Sequence, residues 1–249
     1  MPETSSPGSF TRHNHPPGIF ITGTDTGVGK TVVAALIARQ MREMGLRVGV
    51  YKPAASGCRM AHGELVSDDA LMLWEAAGRP ATLAAVCPQK YLAPLAPHLA
   101  ARAAGHELDA GKLRSGLDYW RETSDVVIVE GAGGLLSPLG DHDYVVDLAH
   151  DCGYPILIVT KNVLGTIHQT LATCFAAQHA RGGIPVLGVI INEVGPRDPV
   201  ADPSVLSNAD ELRRHLPVPL LAELSYEATT FSPPIDWKKL IRPRSPDQL

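Results

Sequence analysis

The chain predicts an α/β fold: one domain with a mostly parallel sheet covered by helices on both faces. Three observations carry that expectation. Short, continuously apolar runs alternate with longer segments of helical period along the chain. Such runs suit strands buried on both faces, and parallel strands need helical crossovers between them. Several runs end in small or polar residues, as at the carboxyl edge of an open sheet, where such folds bind ligands. No linker-like stretch and no internal repeat interrupts the alternation, so residues 18–242 read as a single domain. Residues 1–17 and 243–249 are polar and read as flexible tails.

In chain order, Ile19, Phe20 and Ile21 suit a first buried strand, and a turn of Gly, Thr and Asp follows. Residues 31–44 read as a helix, with Val33, Leu36, Ile37, Met41 and Met44 on one face and Gly45 placed to end it. Residues 46–51 form a second strand that runs into a loop at 52–57. Ser67, Asp68 and Asp69 precede an apolar-periodic helix at 70–77, closed by Gly78. Residues 81–98, with Pro88, Pro94 and Pro97, read as an irregular excursion. A helix at 109–122 puts Leu113, Leu117 and Trp120 on one face. Then come a strand at 125–130 ending in a glycine run, a short helix at 143–152 and a strand at 156–160. A long helix at 166–181, a strand at 185–191, a charged helix at 207–216 and a last strand at 218–222 complete the series.

The stretch GTDTGVGKT at 23–31, between strand and helix, is a nucleoside-triphosphate phosphate loop. A triphosphate is a dense anion that backbone N–H groups at a helix N-terminus can wrap, aided by the helix dipole. Glycine allows the backbone to approach without a Cβ. Thr26, Gly27, Val28 and Gly29 would cradle the phosphates, Lys30 would reach the β- and γ-phosphates, and the Thr31 hydroxyl would bind Mg²⁺. Five residues separate Gly23 from Gly29, one more than usual, so Thr24 stands at the ordinary first-glycine position. A chance Gly-Lys-Thr would lack the flanking strand and helix. The same rim collects Lys52 to Ser56, Glu130 with Gly131 to Gly134, and Asn192.

A formal net charge of −4 with scattered basic residues argues against a nucleic-acid surface. The apolar runs are too short to span a bilayer, and residues 1–17 lack the apolar core of a secretory signal. Cys58, Cys87, Cys152 and Cys174 show no metal-binding spacing and read as reduced thiols of a cytoplasmic protein.

Together, GTDTGVGKT at 23–31, YKPAASG at 51–57, VEGAGG at 129–134 and His98 after a proline-rich stretch resemble the dethiobiotin synthetase family. The likeness runs in order from Ile19 to about Leu224. It implies a homodimeric, Mg²⁺-dependent ligase of biotin biosynthesis that uses ATP, 7,8-diaminopelargonate and CO₂ or bicarbonate. By the same resemblance, Lys30 and Lys52 act on a carbamate and the transferring phosphoryl group, and Thr31, Asp69 and Glu130 hold the metal. Ser56, Gly131, Ala132, Gly133 and Gly134 meet the substrate. Asn192 reads adenine, with Glu193, Ser225, Tyr226 and Glu227 beside it. Leu164, Gly165, Thr166 and His168 open a helix that grips the substrate carboxylate across the dimer interface.

Each assignment has a plainer reading. Lys52 could pair with a surface carboxylate. Asp68 or Asp69 could cap a helix. Asn192 and Ser56 could close turns, and His168 could face solvent. The sequence departs from the family's pattern at 225–227, where a Pro-Trp-Leu-like segment is common, at Glu193, where Asp is frequent, and at His168, where Asn is usual. Two other readings share the phosphate loop. A partition or septum-type switch ATPase would carry a second lysine early in the loop, where this chain has Thr24 and Asp25, and often a basic membrane helix. A cobyrinate-type amide synthetase would need an appended glutaminase domain.

Overall fold

The computed structural model describes residues 15–241; the expected tails fall outside the described residues, apart from 15–17. At its centre is β1 (Gly18–Gly23), buried throughout, which leads through the phosphate loop into α1 (Lys30–Glu43). Next come β2 (Val48–Tyr51), the two-residue β3 (Ala54–Ala55), a hairpin of β4 (Arg59–Ala61) and β5 (Glu64–Val66), and α2 (Asp68–Ala76). A short α3 (Leu83–Val86), β6 (Gln89–Lys90), α4 (Pro97–Ala103) and α5 (Ala110–Thr123) follow. Then come β7 (Val126–Gly134), α6 (Val145–Cys152), β8 (Ile156–Lys161), α7 (Thr166–His179), β9 (Val186–Asn192), α8 (Asn208–His215), β10 (Leu220–Leu224) and α9 (Trp237–Leu240).

Six strands form one sheet in the order β10-β9-β8-β1-β7-β2, every neighbouring pair parallel. Strand alternation sends successive side chains to opposite faces. The Tyr51 hydroxyl donates to the Lys112 carbonyl of α5, and Gly131 backs onto Val145 of α6. Glu130, one residue earlier, looks the other way, toward Thr31 of α1. The sheet is therefore covered on both faces, as predicted. All six carboxyl ends lie on one rim, which brings β1, β2, β7, β8 and β9 to the same site. Among the described residues, no helix is long and apolar enough to cross a membrane. All four cysteines are buried free thiols.

Several expectations need correction. Met44 leaves the buried face of α1: it is the C-cap and 50% exposed. The stretch at 81–98 is not wholly irregular. Thr82 caps α3 by accepting from the Ala85 N–H, β6 pairs with β3, and Pro97 opens α4 at its first turn, where its missing N–H costs nothing. The glycine run at 131–134, where the strand was expected to end, continues it and, after a register shift, pairs again with β1 at Gly23 opposite Gly134. The long helix stops at His179, and a 3₁₀ turn covers Ala180–Gly182. The hairpin of β4 and β5 and the C-terminal α9, whose Trp237 is fully buried, are further elements beyond the expected set.

Candidate active site

The phosphate loop turns on Gly27 and Gly29, at φ +72 and +91. At Gly29 a side chain is doubly excluded: an added Cβ would lie 2.0 Å from Asn192 Nδ2. Asn192 is buried at the end of β9, and its amide donates to the Val28 carbonyl at 3.0 Å. The side chain predicted to read adenine thus also props the back of the loop.

Lys30 opens α1 and is buried, its Nζ donating to the Asp25 carbonyl at 2.9 Å. Burial lowers its pKa to about 8, with Glu130 pulling upward and Lys52 downward. The next residue, Thr31, donates its hydroxyl to Glu130 Oε1 at 2.9 Å.

Lys52 follows β2 and is 4% exposed. Its Nζ meets Glu130 Oε1 at 2.5 Å and Asp69 Oδ2 at 2.9 Å. Burial works against this ammonium, but the two carboxylates outweigh it and hold its pKa above the ordinary lysine value. In the same way, burial pushes the Asp69 carboxyl up while Lys52 more than compensates, so its pKa falls below the usual value. Asp68 and Asp69 are cleanly separated. Asp68 pairs with Arg59 on the surface, Ser67 caps α2 by accepting from the Ala70 N–H, and Asp69 alone turns to Lys52.

Glu130 is 1% exposed and its Oε2 has no hydrogen-bond partner. An orphaned carboxylate oxygen in the interior is costly unless a cation meets it. Among the described residues, no three His, Cys, Asp or Glu side chains close a metal cage by themselves. Thr31, Asp69 and Glu130 instead offer a partial set of hard oxygens, the kind completed by phosphate and water.

The remaining predicted residues surround this core. Gly133 sits at φ +69, and Gly134 donates its N–H to Ser137 Oγ at 2.9 Å. A Cβ on Gly134 would come 3.3 Å from the carbonyls of Gly23 and Thr24, so β7 approaches the phosphate loop closely. Gly165 caps α7 at φ +92, Leu164 beside it is 79% exposed, and the Leu164 N–H is held by Asp202. His168 is exposed and lines a cleft of about 440 Å³ with Thr24, Asp25, Gly134 and Ser137. A separate cavity of about 290 Å³ between α5 and α6 contains none of the predicted residues.

Glu193 accepts from Asn162 Nδ2 at 2.8 Å and pairs with Arg197. Ser225, Tyr226 and Glu227 form an exposed turn after β10; Leu224 pairs with Asn192, which sets the turn next along the rim. Ser56 is half-buried after β3. Among the described residues, no hydrogen bond joins Ser56 or the 225–227 turn to the lysine–carboxylate core. Sequence reasoning missed Asp25 as the acceptor for Lys30, Asp202 as the anchor of Leu164, and the hydroxyl of Thr160 beneath the loop. Only tertiary contacts identify them.

A family described as an AAA domain matches residues 17–233. The ATP-dependent dethiobiotin synthetase BioD of Rhodopirellula baltica is 45% identical over 216 residues, covering 82% of each chain. The protein of the same name from Thermodesulfovibrio yellowstonii is 36% identical over 217 residues, covering 84% of this chain and 88% of that one. Among solved structures, the signal recognition particle receptor FtsY from Elizabethkingia anophelis in complex with GDP aligns over 89% of this chain and 60% of that one, with a TM-score of 0.49 and 20% identity.

Proposed function

This chain belongs to the dethiobiotin synthetase family, and from that premise we propose that it closes the ureido ring of dethiobiotin from 7,8-diaminopelargonate, CO₂ and ATP. The observation that carries the reading is the buried Lys52 ammonium, fixed between Glu130 and Asp69 beside the phosphate-loop lysine. One amine adds to CO₂ and loses a proton, giving a carbamate. A carbamate oxygen attacks the γ-phosphorus and ADP leaves, which produces a carbamic–phosphoric anhydride. The second amine attacks the carbamoyl carbon, phosphate leaves, and the five-membered ring is closed.

The difficulty is to align two anions, and positioned cations solve it. Lys30 neutralises the γ-phosphate and the carbamate from the loop, and Lys52 meets the same oxygens from β2. Thr31, Asp69 and Glu130 would hold Mg²⁺; the partnerless Oε2 of Glu130 supports that fit. The ion would supply charge neutralisation for the triphosphate. Asn192, Glu193, Ser225, Tyr226 and Glu227 bound the adenine side, while Ser56 and Gly131 to Gly134 bound the diamine.

The protein works as a cytoplasmic homodimer in this reading, with Leu164, Gly165, Thr166 and His168 of one protomer meeting its partner's substrate. Leu164, just before α7, at 79% and Phe175 on α7 at 62% exposure are apolar surface that a second copy would cover. Mass detection of the ureido product tests the activity, with phosphate release expected only when diaminopelargonate and bicarbonate are both present. Folded, ATP-binding protein that yields no such product refutes the assignment. Sedimentation tests the dimer, which an active monomer would contradict.

A further inference from the structure

Three threonine hydroxyls run in a line from the phosphate loop into the interior. Thr24 Oγ1 lies 3.0 Å from Thr160 Oγ1, which lies 2.7 Å from Thr166 Oγ1. Thr160 and Thr166 are fully buried, whereas Thr24 is half-buried and lines the 440 Å³ cleft. The line crosses three elements: the loop after β1, the end of β8 and the first turn of α7.

Each hydroxyl has one proton to give and can also accept. Two polarities are therefore open to the line. Pointed inward, Thr24 donates to Thr160 and Thr160 to Thr166, and the Thr166 proton is stranded. Its Oγ1 has no second partner among the described residues, and the neighbouring Thr170 hydroxyl already donates to the Thr166 carbonyl at 2.6 Å. Pointed outward, Thr166 donates to Thr160 and Thr160 to Thr24, every buried proton is bonded, and the Thr24 proton is delivered to the cleft. A buried donor without an acceptor costs more than an ordinary hydrogen bond contributes, so the outward polarity wins.

We propose that Thr24 Oγ1 is a pre-aimed hydrogen-bond donor to a carboxylate-type oxygen of the molecule held in the cleft, and that Thr160 is the positioning residue that aims it. The identity of that molecule rests on the proposed function: the oxygen belongs to the terminal carboxylate of diaminopelargonate or to its carbamate.

The test is calorimetric titration of diaminopelargonate, in the presence of a non-hydrolysable ATP analogue, with and without bicarbonate. Thr24→Val should weaken binding about 10-fold, and Thr160→Val about 3-fold. Thr24→Ser and Thr160→Ser, which keep the hydroxyl, should bind as wild type. Thr170→Val is the control: it removes an equally buried hydroxyl outside the line and should leave affinity unchanged, whatever it does to the melting temperature. A loss seen only with bicarbonate assigns the carbamate oxygen; a loss in both arms assigns the carboxylate. Wild-type affinity in Thr24→Val overturns the proposal, as does a serine variant that fails like its valine counterpart. Wild-type protein that binds no diaminopelargonate defeats the functional reading instead. Hydroxyl-proton NMR then decides the polarity independently: slowly exchanging protons at Thr160 and Thr166 with a fast one at Thr24 uphold it, and a protected Thr24 proton overturns it.

Discussion

The rim has two halves built on different physics. Where β1, β7 and β2 end, the proposed chemistry falls to charged side chains taken out of water: Lys30, Lys52 and Glu130 are 7%, 4% and 1% exposed. Where β9 and β10 end, it falls to the buried amide of Asn192, to backbone and to an exposed turn at 225–227. A buried ion pair tolerates little displacement, because removing one partner strands the other in low dielectric. An exposed turn can change its side chains at little cost.

The sharpest way to break the comparison is at Lys52. Lys52→Ala should cut turnover on the order of 10²–10³-fold while leaving nucleotide affinity within about threefold. It should also destabilise the fold by roughly 3–5 kcal/mol, because Glu130 loses its buried counter-ion. Lys30→Ala should weaken nucleotide binding and turnover together. Calorimetry, melting curves and product assays on the three proteins check this, and near-normal turnover without Lys52 would erase the distinction between the halves.

Gly29 is where the halves touch. Gly29→Ala should weaken ATP binding on the order of 10- to 100-fold, since the new Cβ must displace the Asn192 amide and take a positive φ. In an Asn192→Gly background the same change should cost less, with a coupling of about 1–2 kcal/mol. Strict additivity in that double-mutant cycle would mean that the halves act independently.

The lysine charge offers a pH test. With a pKa near 8, Lys30 in the free protein begins to lose its proton as pH rises above that value. Bound phosphate favours the charged form, so nucleotide binding should take up protons near pH 8.5 and few at pH 7, with affinity falling by up to about tenfold per unit above 8. Calorimetry in two buffers of different ionisation enthalpy measures that uptake. The stability sign follows from linkage: the folded pKa lies below the ordinary 10.5. Between the two values the unfolded chain binds more protons, so this group's contribution to stability rises with pH through the window. Its full destabilising cost is present below about pH 8.

The smallest effects should come from the exposed turn. Tyr226→Ala should shift stability by no more than about 0.5 kcal/mol and ATP affinity by about threefold. Glu227→Gly should stabilise slightly, because Glu227 sits at φ +58. A larger affinity loss from Tyr226→Ala than from Gly29→Ala would invert the ranking of the halves.

What was legible in the sequence follows from the range of the forces involved. Apolar runs such as 19–21 and 156–159 and the periodic face of Leu113, Leu117 and Trp120 declare themselves within a few residues, and all became core. The phosphate loop and Lys52 were legible because glycine, lysine and their flanking elements are local too. The continuation of the strand through Gly131 to Gly134 was hidden: glycines carry no strand signal of their own, and the pairing of Gly134 with Gly23 is a tertiary contact. The hairpin at 59–66 was hidden because its strands are three residues each and largely exposed. The contact of Asn192 with Val28 joins positions 164 apart, and no local pattern encodes it. The choice between Asp68 and Asp69 likewise needed the helix phase of α2 set against Lys52.

The ionic core has a kinetic corollary. Two ammonium groups, Lys30 and Lys52, face two carboxylates, Asp69 and Glu130, so at neutral pH the site presents little net charge to an anion arriving from afar. The chain as a whole is also mildly anionic, at −4. Long-range steering, which speeds encounter in strongly cationic clefts, therefore has little to act on here. The association rate for a nucleotide should vary only weakly between 0.02 and 0.2 M salt, values on the order of those over which the screening length shortens several-fold. Selectivity for the triphosphate then arises after contact, from how long it stays rather than how fast it comes.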